Sequence, residues 1–186
     1  MQRESSSDRF ALGSSLPKFS LPNALGGTID QSYLSGGKAA LVAFVCNHCP
    51  YVKGSEEMLI GIVRRFEQQG LKTVAISSND ALQYPDDSFE QMKAKASQMD
   101  LPYPYLYDES QAVAKSFDAA CTPEFYLFDR AGVLVYHGAI SDSPRDPKKV
   151  TKDYLSEAIA AALDGKIPSP QFVHPLGCSI KWKLQS

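Results

Sequence analysis

Ala39-Ala40-Leu41-Val42-Ala43-Phe44-Val45-Cys46-Asn47-His48-Cys49-Pro50 decides how the rest of this chain is read. Residues 39–45 are apolar at every position, so both faces of the segment must be covered, as in a central strand. After Pro50 an amphipathic helix pattern begins. Met58, Leu59, Ile62, Val63 and Phe66 recur at helical spacing until Gly70 stops them. Cys46 and Cys49 are therefore expected between a buried strand and a helix N-terminus, one turn apart. Unpaired N–H groups and the positive end of the helix dipole favour thiolate over thiol there. Two cysteines at this spacing can form and break a small-ring disulfide, so thiol–disulfide chemistry is the leading reading.

Working outward, Leu71 to Ser77 reads as the next parallel strand. Asp87-Ser88-Phe89-Glu90 has the character of a capping box, with Asp in place of Ser or Thr, and opens a helix striped by Phe89, Met92, Ala96 and Met99. Gln111 to Phe117 is a short helix. Phe125–Phe128 and Val133–Tyr136 flank Asp129-Arg130-Ala131-Gly132, a hairpin signal. Tyr154, Leu155, Ala158, Ile159, Ala162 and Leu163 mark a last helix that Gly165 ends. Phe10 to Leu34, with Gly26-Gly27, reads as an added N-terminal β-hairpin. The tail from Lys166 to Ser186 carries Pro168, Pro170 and Pro175 and should be extended. Alternating elements followed by an antiparallel hairpin predict an α/β fold, a mixed central sheet with helices on both faces. The expected organisation is one domain over 10–186, with a core at about 34–163, a tail at 165–186 and a mobile polar segment at 1–9.

The 186 residues are 44% hydrophobic and 22% charged with a net charge of −2, which fits a globular chain with a sizeable core. That balance argues against nucleic-acid or anionic-membrane binding. No apolar stretch is long enough to span a bilayer, and residues 1–9 hold no apolar run of the signal type. The expected location is the cytoplasm, where a C-x-x-C pair is catalytic or metal-binding more often than a structural staple. The four cysteines, Cys46, Cys49, Cys121 and Cys178, are spaced too irregularly for a small disulfide framework.

Cys46, at the helix entrance, is the expected attacking thiol, and Cys49 would resolve the mixed disulfide. His48, when protonated, would favour the thiolate and make the disulfide more oxidising. Thr122-Pro123 precedes an apolar strand. A cis bond there would turn the main chain of Thr122 toward the thiols, where it can pair with an extended substrate segment. Cys121 stands directly before this dipeptide and is a further redox candidate. Cys178 lies in the tail, which could carry it back to the pair as a resolving thiol. His137 reads as structural, and His174 is near Cys178 in sequence. Asp108 and Glu109 read as helix caps, Tyr51 as a wall of a substrate groove, and Tyr103 and Tyr105 as packing residues.

C-x-x-C followed by Thr-Pro, in this order and spacing, resembles the thioredoxin superfamily over roughly Leu34 to Leu163. The N-terminal hairpin and the long stretch between Cys49 and Pro123 resemble its peroxiredoxin-like and membrane-anchored reductase branch. The strings Cys46-Asn-His-Cys-Pro-Tyr-Val-Lys53 and Gly177-Cys-Ser-Ile-Lys-Trp-Lys183 look like a redoxin subgroup labelled alkyl hydroperoxide reductase/thiol-specific antioxidant-like. The resemblance implies antioxidant and oxidoreductase activity. The chain departs from thioredoxins by Val45 where they have Trp, and by Asn47-His48 where they have Gly-Pro. It departs from peroxiredoxins too. If Cys49 is the peroxidatic cysteine, Val42 stands in place of their proline, Cys46 in place of Thr, and Thr122 near their arginine. Three readings follow. The first is a thiol–disulfide oxidoreductase acting on protein or small-molecule disulfides, serving redox homeostasis and regenerated by an external thiol reductant, with no cofactor or metal. The second is a thiol peroxidase with Cys49 peroxidatic and Cys46 resolving. The third is a thioredoxin-like metal-binding module with Cys46 and Cys49 as ligands, joined by His48, Cys121 or Cys178, and weakened by the lack of a second C-x-x-C.

Overall fold

In the computed structural model, which describes residues 10–184, the chain runs through β1 (Ser20–Pro22), β2 (Thr28–Asp30), β3 (Ala39–Phe44), α1 (Pro50–Phe66), β4 (Leu71–Ser77), α2 (Phe89–Gln98) and β5 (Tyr105–Tyr107). It continues through α3 (Ala112–Ser116), β6 (Cys121–Thr122), β7 (Glu124–Asp129), β8 (Leu134–Gly138), α4 (Tyr154–Leu163), β9 (Phe172–Val173) and β10 (Cys178–Ser179). The expected mobile segment at 1–9 lies outside the described residues.

The apolar run forms β3 and is buried at every position. It pairs in parallel with β4 and antiparallel with β7, at the middle of a six-stranded sheet ordered β5-β4-β3-β7-β8-β9. Successive side chains of a strand point to opposite faces, so the run supplies two cores. Ala39, Leu41 and Ala43 face α1, α2 and α4, packing with Leu59, Val63, Met92, Leu155 and Ile159. Ala40, Val42 and Phe44 face the N-terminal hairpin and α3, packing with Leu21, Val113 and Phe117. Mixed sheet and helices on both faces are as the sequence predicts.

Helix α1 places the cysteines. Cys49 is its N-cap residue and Pro50 takes the first helical position, where a missing N–H is harmless. Its inner face buries Val52, Leu59, Ile62, Val63 and Phe66, each contributing about 1.5–3 kcal/mol. Gly70, at φ +107°, then reverses the chain into β4.

Three features differ from the sequence reading. Strand β5, between α2 and α3, is the unexpected edge of the sheet and joins β4 in parallel. The tail is not merely extended: β9 adds to the far edge beside β8, and β10 pairs antiparallel with β6. The cap of α2 is Ser88, whose hydroxyl accepts from the Gln91 N–H at 3.3 Å, rather than Asp87. Asp87 turns inward and is completely buried.

Candidate active site

The end of β3, the start of α1 and the β6–β7 junction meet at one point. Cys46 and Cys49 are both fully buried there. The peptide bond between Thr122 and Pro123 is cis. Thr122 turns both its hydroxyl and its carbonyl toward the sulfurs: Cys46 Sγ lies 3.4 Å from Thr122 Oγ1, and Cys49 Sγ donates to the Thr122 carbonyl at 3.3 Å. The sequence-predicted Cys46, Cys49, Thr122 and Pro123 thus converge.

The two thiols are not equivalent. The Cys46 thiol beside it is the first cause that holds the Cys49 thiol well below its ordinary range. Burial opposes the shift, while the Val52 N–H, at the open end of α1, and Cys178 assist it. Cys46 is pushed up, first by its neighbour Cys49, then by burial and by the negative charge of Asp87. The Val52 N–H at the helix cap favours negative charge on Cys49, the second sulfur of the pair, whereas the sequence reading assigns the attack to Cys46.

Asp87 organises the dipeptide between the cysteines. One carboxylate oxygen accepts the N–H groups of Asn47 at 2.7 Å and His48 at 3.1 Å. The other is bound to His48 Nδ1 and accepts from the Asn79 amide at 2.9 Å. The His48 ring stacks on Tyr84 with centroids 5.2 Å apart. Asn47 is fixed from the opposite side, its side-chain oxygen accepting from the Tyr105 hydroxyl at 2.8 Å. Tyr105 is hence more than the packing residue the sequence implies. Asp87, Asn79 and Tyr84 were not legible as site residues. Asp87 read as a cap because Asp is one, and nothing local in the sequence shows a buried carboxylate reaching back to residues 47 and 48.

Cys178 also reaches the site. In the β6–β10 pair it stands opposite Thr122, the residue whose carbonyl faces Cys49. Burial and Cys49 push its thiol up, against the pull of Lys181 and Arg145. The Arg145 guanidinium lies 5.9 Å from the ring centroid of Tyr51, at the first turn of α1. Cys121 pairs with Ser179, and burial and Glu124 push its thiol up. His137 is committed elsewhere: its Nε2 lies 2.6 Å from Glu124 Oε1 and its ring stacks on Tyr126. His174 is beside Phe172, with ring centroids 6.5 Å apart. Among the described residues, Cys46, His48 and Asp87 bring potential metal-ligand atoms within 4.8 Å of one another. That set excludes Cys49, which the sequence reading had as a ligand beside Cys46. Asp87 already uses both oxygens on protein donors.

These features fit a thiol redox centre on a thioredoxin-like scaffold. The family model of the AhpC/TSA family matches residues 12–137. The chain belongs to the AhpC/TSA family. An uncharacterized conserved protein from Geobacillus kaustophilus is 42% identical and superposes with a TM-score of 0.90, covering 97% of this chain and 96% of its own. A hypothetical protein from Sinorhizobium meliloti is 40% identical with a TM-score of 0.90, covering 96% of this chain and 98% of its own. The peroxidoxin BcpB of Mycobacterium tuberculosis, 16% identical, matches at a TM-score of 0.61 over 84% of this chain and 97% of its own, which speaks to the fold alone. No curated protein matches the sequence. Membership in the AhpC/TSA family, with this fold, makes the chain a thiol redox protein. Among its described residues no helix is long and apolar enough to cross a membrane.

Proposed function

We propose that this AhpC/TSA-family protein is a thiol–disulfide oxidoreductase that cycles Cys46 and Cys49 between dithiol and disulfide. The single observation carrying the proposal is the convergence of the two buried sulfurs on one residue, Cys46 against the Thr122 hydroxyl and Cys49 against its carbonyl. In the cycle, the Cys49 thiolate attacks a substrate disulfide and releases one substrate thiol. Cys46 then attacks the Cys49 sulfur of the mixed disulfide, frees the second thiol and leaves the Cys46–Cys49 disulfide. An external thiol reductant restores the pair. The Thr122 hydroxyl contacts Cys46, its carbonyl accepts Cys49 while that thiol is protonated, and Asp87 and Tyr105 hold the Asn47-His48 turn between the two. We place this chemistry in the cytoplasm, whose reductants keep such pairs in use.

One observation favours a second reading, a peroxidase with Cys49 as the peroxidatic thiol: the Cys49 thiolate is supported by the Val52 N–H at the start of α1. A paired turnover assay separates the two. Dithiothreitol drives disulfide reduction in one arm and peroxide consumption in the other, with Cys46→Ser and Cys49→Ser beside the wild type. The oxidoreductase reading expects disulfide turnover that both substitutions abolish. Peroxide consumption that survives Cys46→Ser and is lost with Cys49→Ser, without disulfide turnover, would establish the peroxidase instead.

A further inference from the structure

We propose that Cys178 is a third catalytic thiol, which opens the Cys46–Cys49 disulfide and carries reducing equivalents to it from solution. The proposal rests on the oxidoreductase reading above and adds the route by which the pair is regenerated.

The geometry is built, not incidental. β10 lies antiparallel to β6 with Cys178 opposite Thr122, the residue whose carbonyl also receives the Cys49 thiol. Cys178 and Cys49 are close enough for each to shift the other's thiol. The preceding Gly177 makes this approach feasible, since a Cβ at that position would sit 2.2 Å from the Thr122 carbonyl oxygen. Beyond the sulfur the tail is clamped. Ile180 is buried in the core under the second sheet face, and its N–H reaches the Ala120 carbonyl at 3.0 Å. The Lys181 N–H donates to Asn79 Oδ1 at 2.9 Å, and its carbonyl accepts from the Asp80 N–H at 2.8 Å and the Gln111 amide at 2.9 Å. The Lys183 N–H donates to Gln111 Oε1 at 2.9 Å.

Exposure decides the direction of flow. Cys46 and Cys49 are each 0% exposed, whereas Cys178 is only partly buried. β10 also covers the edge beside the cis bond, where an extended partner would otherwise pair with Thr122. A dithiol arriving from solution therefore meets Cys178 first.

The steps balance as exchange reactions. The Cys178 thiolate attacks the Cys49 sulfur of the oxidised pair. The Cys178–Cys49 bond forms, the Cys49–Cys46 bond breaks, and Cys46 leaves with the electron pair and takes up the proton Cys178 gave up. Cys49, now in a disulfide, no longer carries the charge that holds Cys46 protonated. A small dithiol then attacks the Cys178 sulfur, and Cys49 departs as thiolate, the state its surroundings favour. The second thiol of the reductant closes on the first and frees Cys178. Two electrons pass from the dithiol to the Cys46–Cys49 pair; of its two protons one reprotonates Cys178, whose own went to Cys46, and the other goes to solvent while Cys49 remains thiolate.

Two measurements test this. Cys46→Ser leaves the tail untouched. After one equivalent of diamide and acid quench, peptide mapping should find a Cys49–Cys178 disulfide within the monomer. A Cys49–Cys121 link, or an intermolecular dimer with Cys178 free, would overturn the proposal. In the second, wild type and Cys178→Ser are oxidised to the Cys46–Cys49 disulfide, and its reduction by dithiothreitol is followed by quenched mass analysis. The rate should fall at least tenfold in Cys178→Ser, and an unchanged rate overturns the relay while leaving the redox pair standing. If neither protein forms a Cys46–Cys49 disulfide at all, the pair itself is wrong and the relay falls with it.

Discussion

At the scale of single residues, the site is an arrangement of one favoured thiolate and the groups that hold it. Cys49 is stabilised chiefly by the thiol of Cys46, so removing that donor should raise it. We expect Cys46→Ala to move the Cys49 titration, read by thiolate ultraviolet absorbance in a Cys121→Ser/Cys178→Ser background, upward by more than about one pH unit. An unmoved midpoint would mean that the helix cap alone sets the acidity. Asp87 is the second key residue. Replacing it by Ala leaves two main-chain N–H groups, the His48 ring and the Asn79 amide without their acceptor. A loss of about 3 kcal/mol is expected in urea denaturation, together with a fall in disulfide turnover, while Asp87→Asn should recover part of the stability. The sequence made Cys46, Cys49, Thr122 and Pro123 legible because their chemistry is tied to a spacing and an order. It hid Asp87 because a carboxylate next to a helix start has an ordinary local use, and here Ser88 already serves it.

At the scale of elements, legibility followed length. β3, β4, α1 and α4 are long enough for a period of two or of 3.6 residues to declare itself, and they lie where the pattern puts them. β5 has three residues and β9 and β10 two each, too few to carry any period. Their partners, not their own residues, make them strands. β10 is the clearest case, because its pairing depends on the missing side chain at position 177. Gly177→Ala would drive a methyl group into the Thr122 carbonyl, so β10 should detach from β6. Hydrogen exchange of the Cys178, Ser179 and Ile180 amides should then accelerate, and alkylation of Cys46 and Cys49 by a bulky maleimide should quicken at least tenfold. Unchanged exchange would show that the downstream clamps suffice to hold the strand.

At the scale of the whole molecule, the sheet separates two apolar layers that bury an unusual set of phenols. Burial is the leading cause that pushes Tyr103, Tyr105, Tyr126 and Tyr136 above the ordinary tyrosine range. Such groups keep their protons in the folded chain after the unfolded chain has lost them. Their contribution is intact below the unfolded value, near pH 10, and is lost as the pH rises beyond it. Thermal midpoints should therefore drop steeply between about pH 9 and 11, following tyrosinate formation, and a flat profile there would contradict the burial of these rings. The same integration joins the tail to the active site through one amide. Asn79 donates to Asp87 and accepts from the Lys181 N–H, using the donor and the acceptor that an amide carries on one planar head. It acts as a coupling pin. A shift of the tail pulls on the carboxylate that orients the Asn47-His48 turn, so the covering strand and the spacing of the two sulfurs are mechanically one variable rather than two.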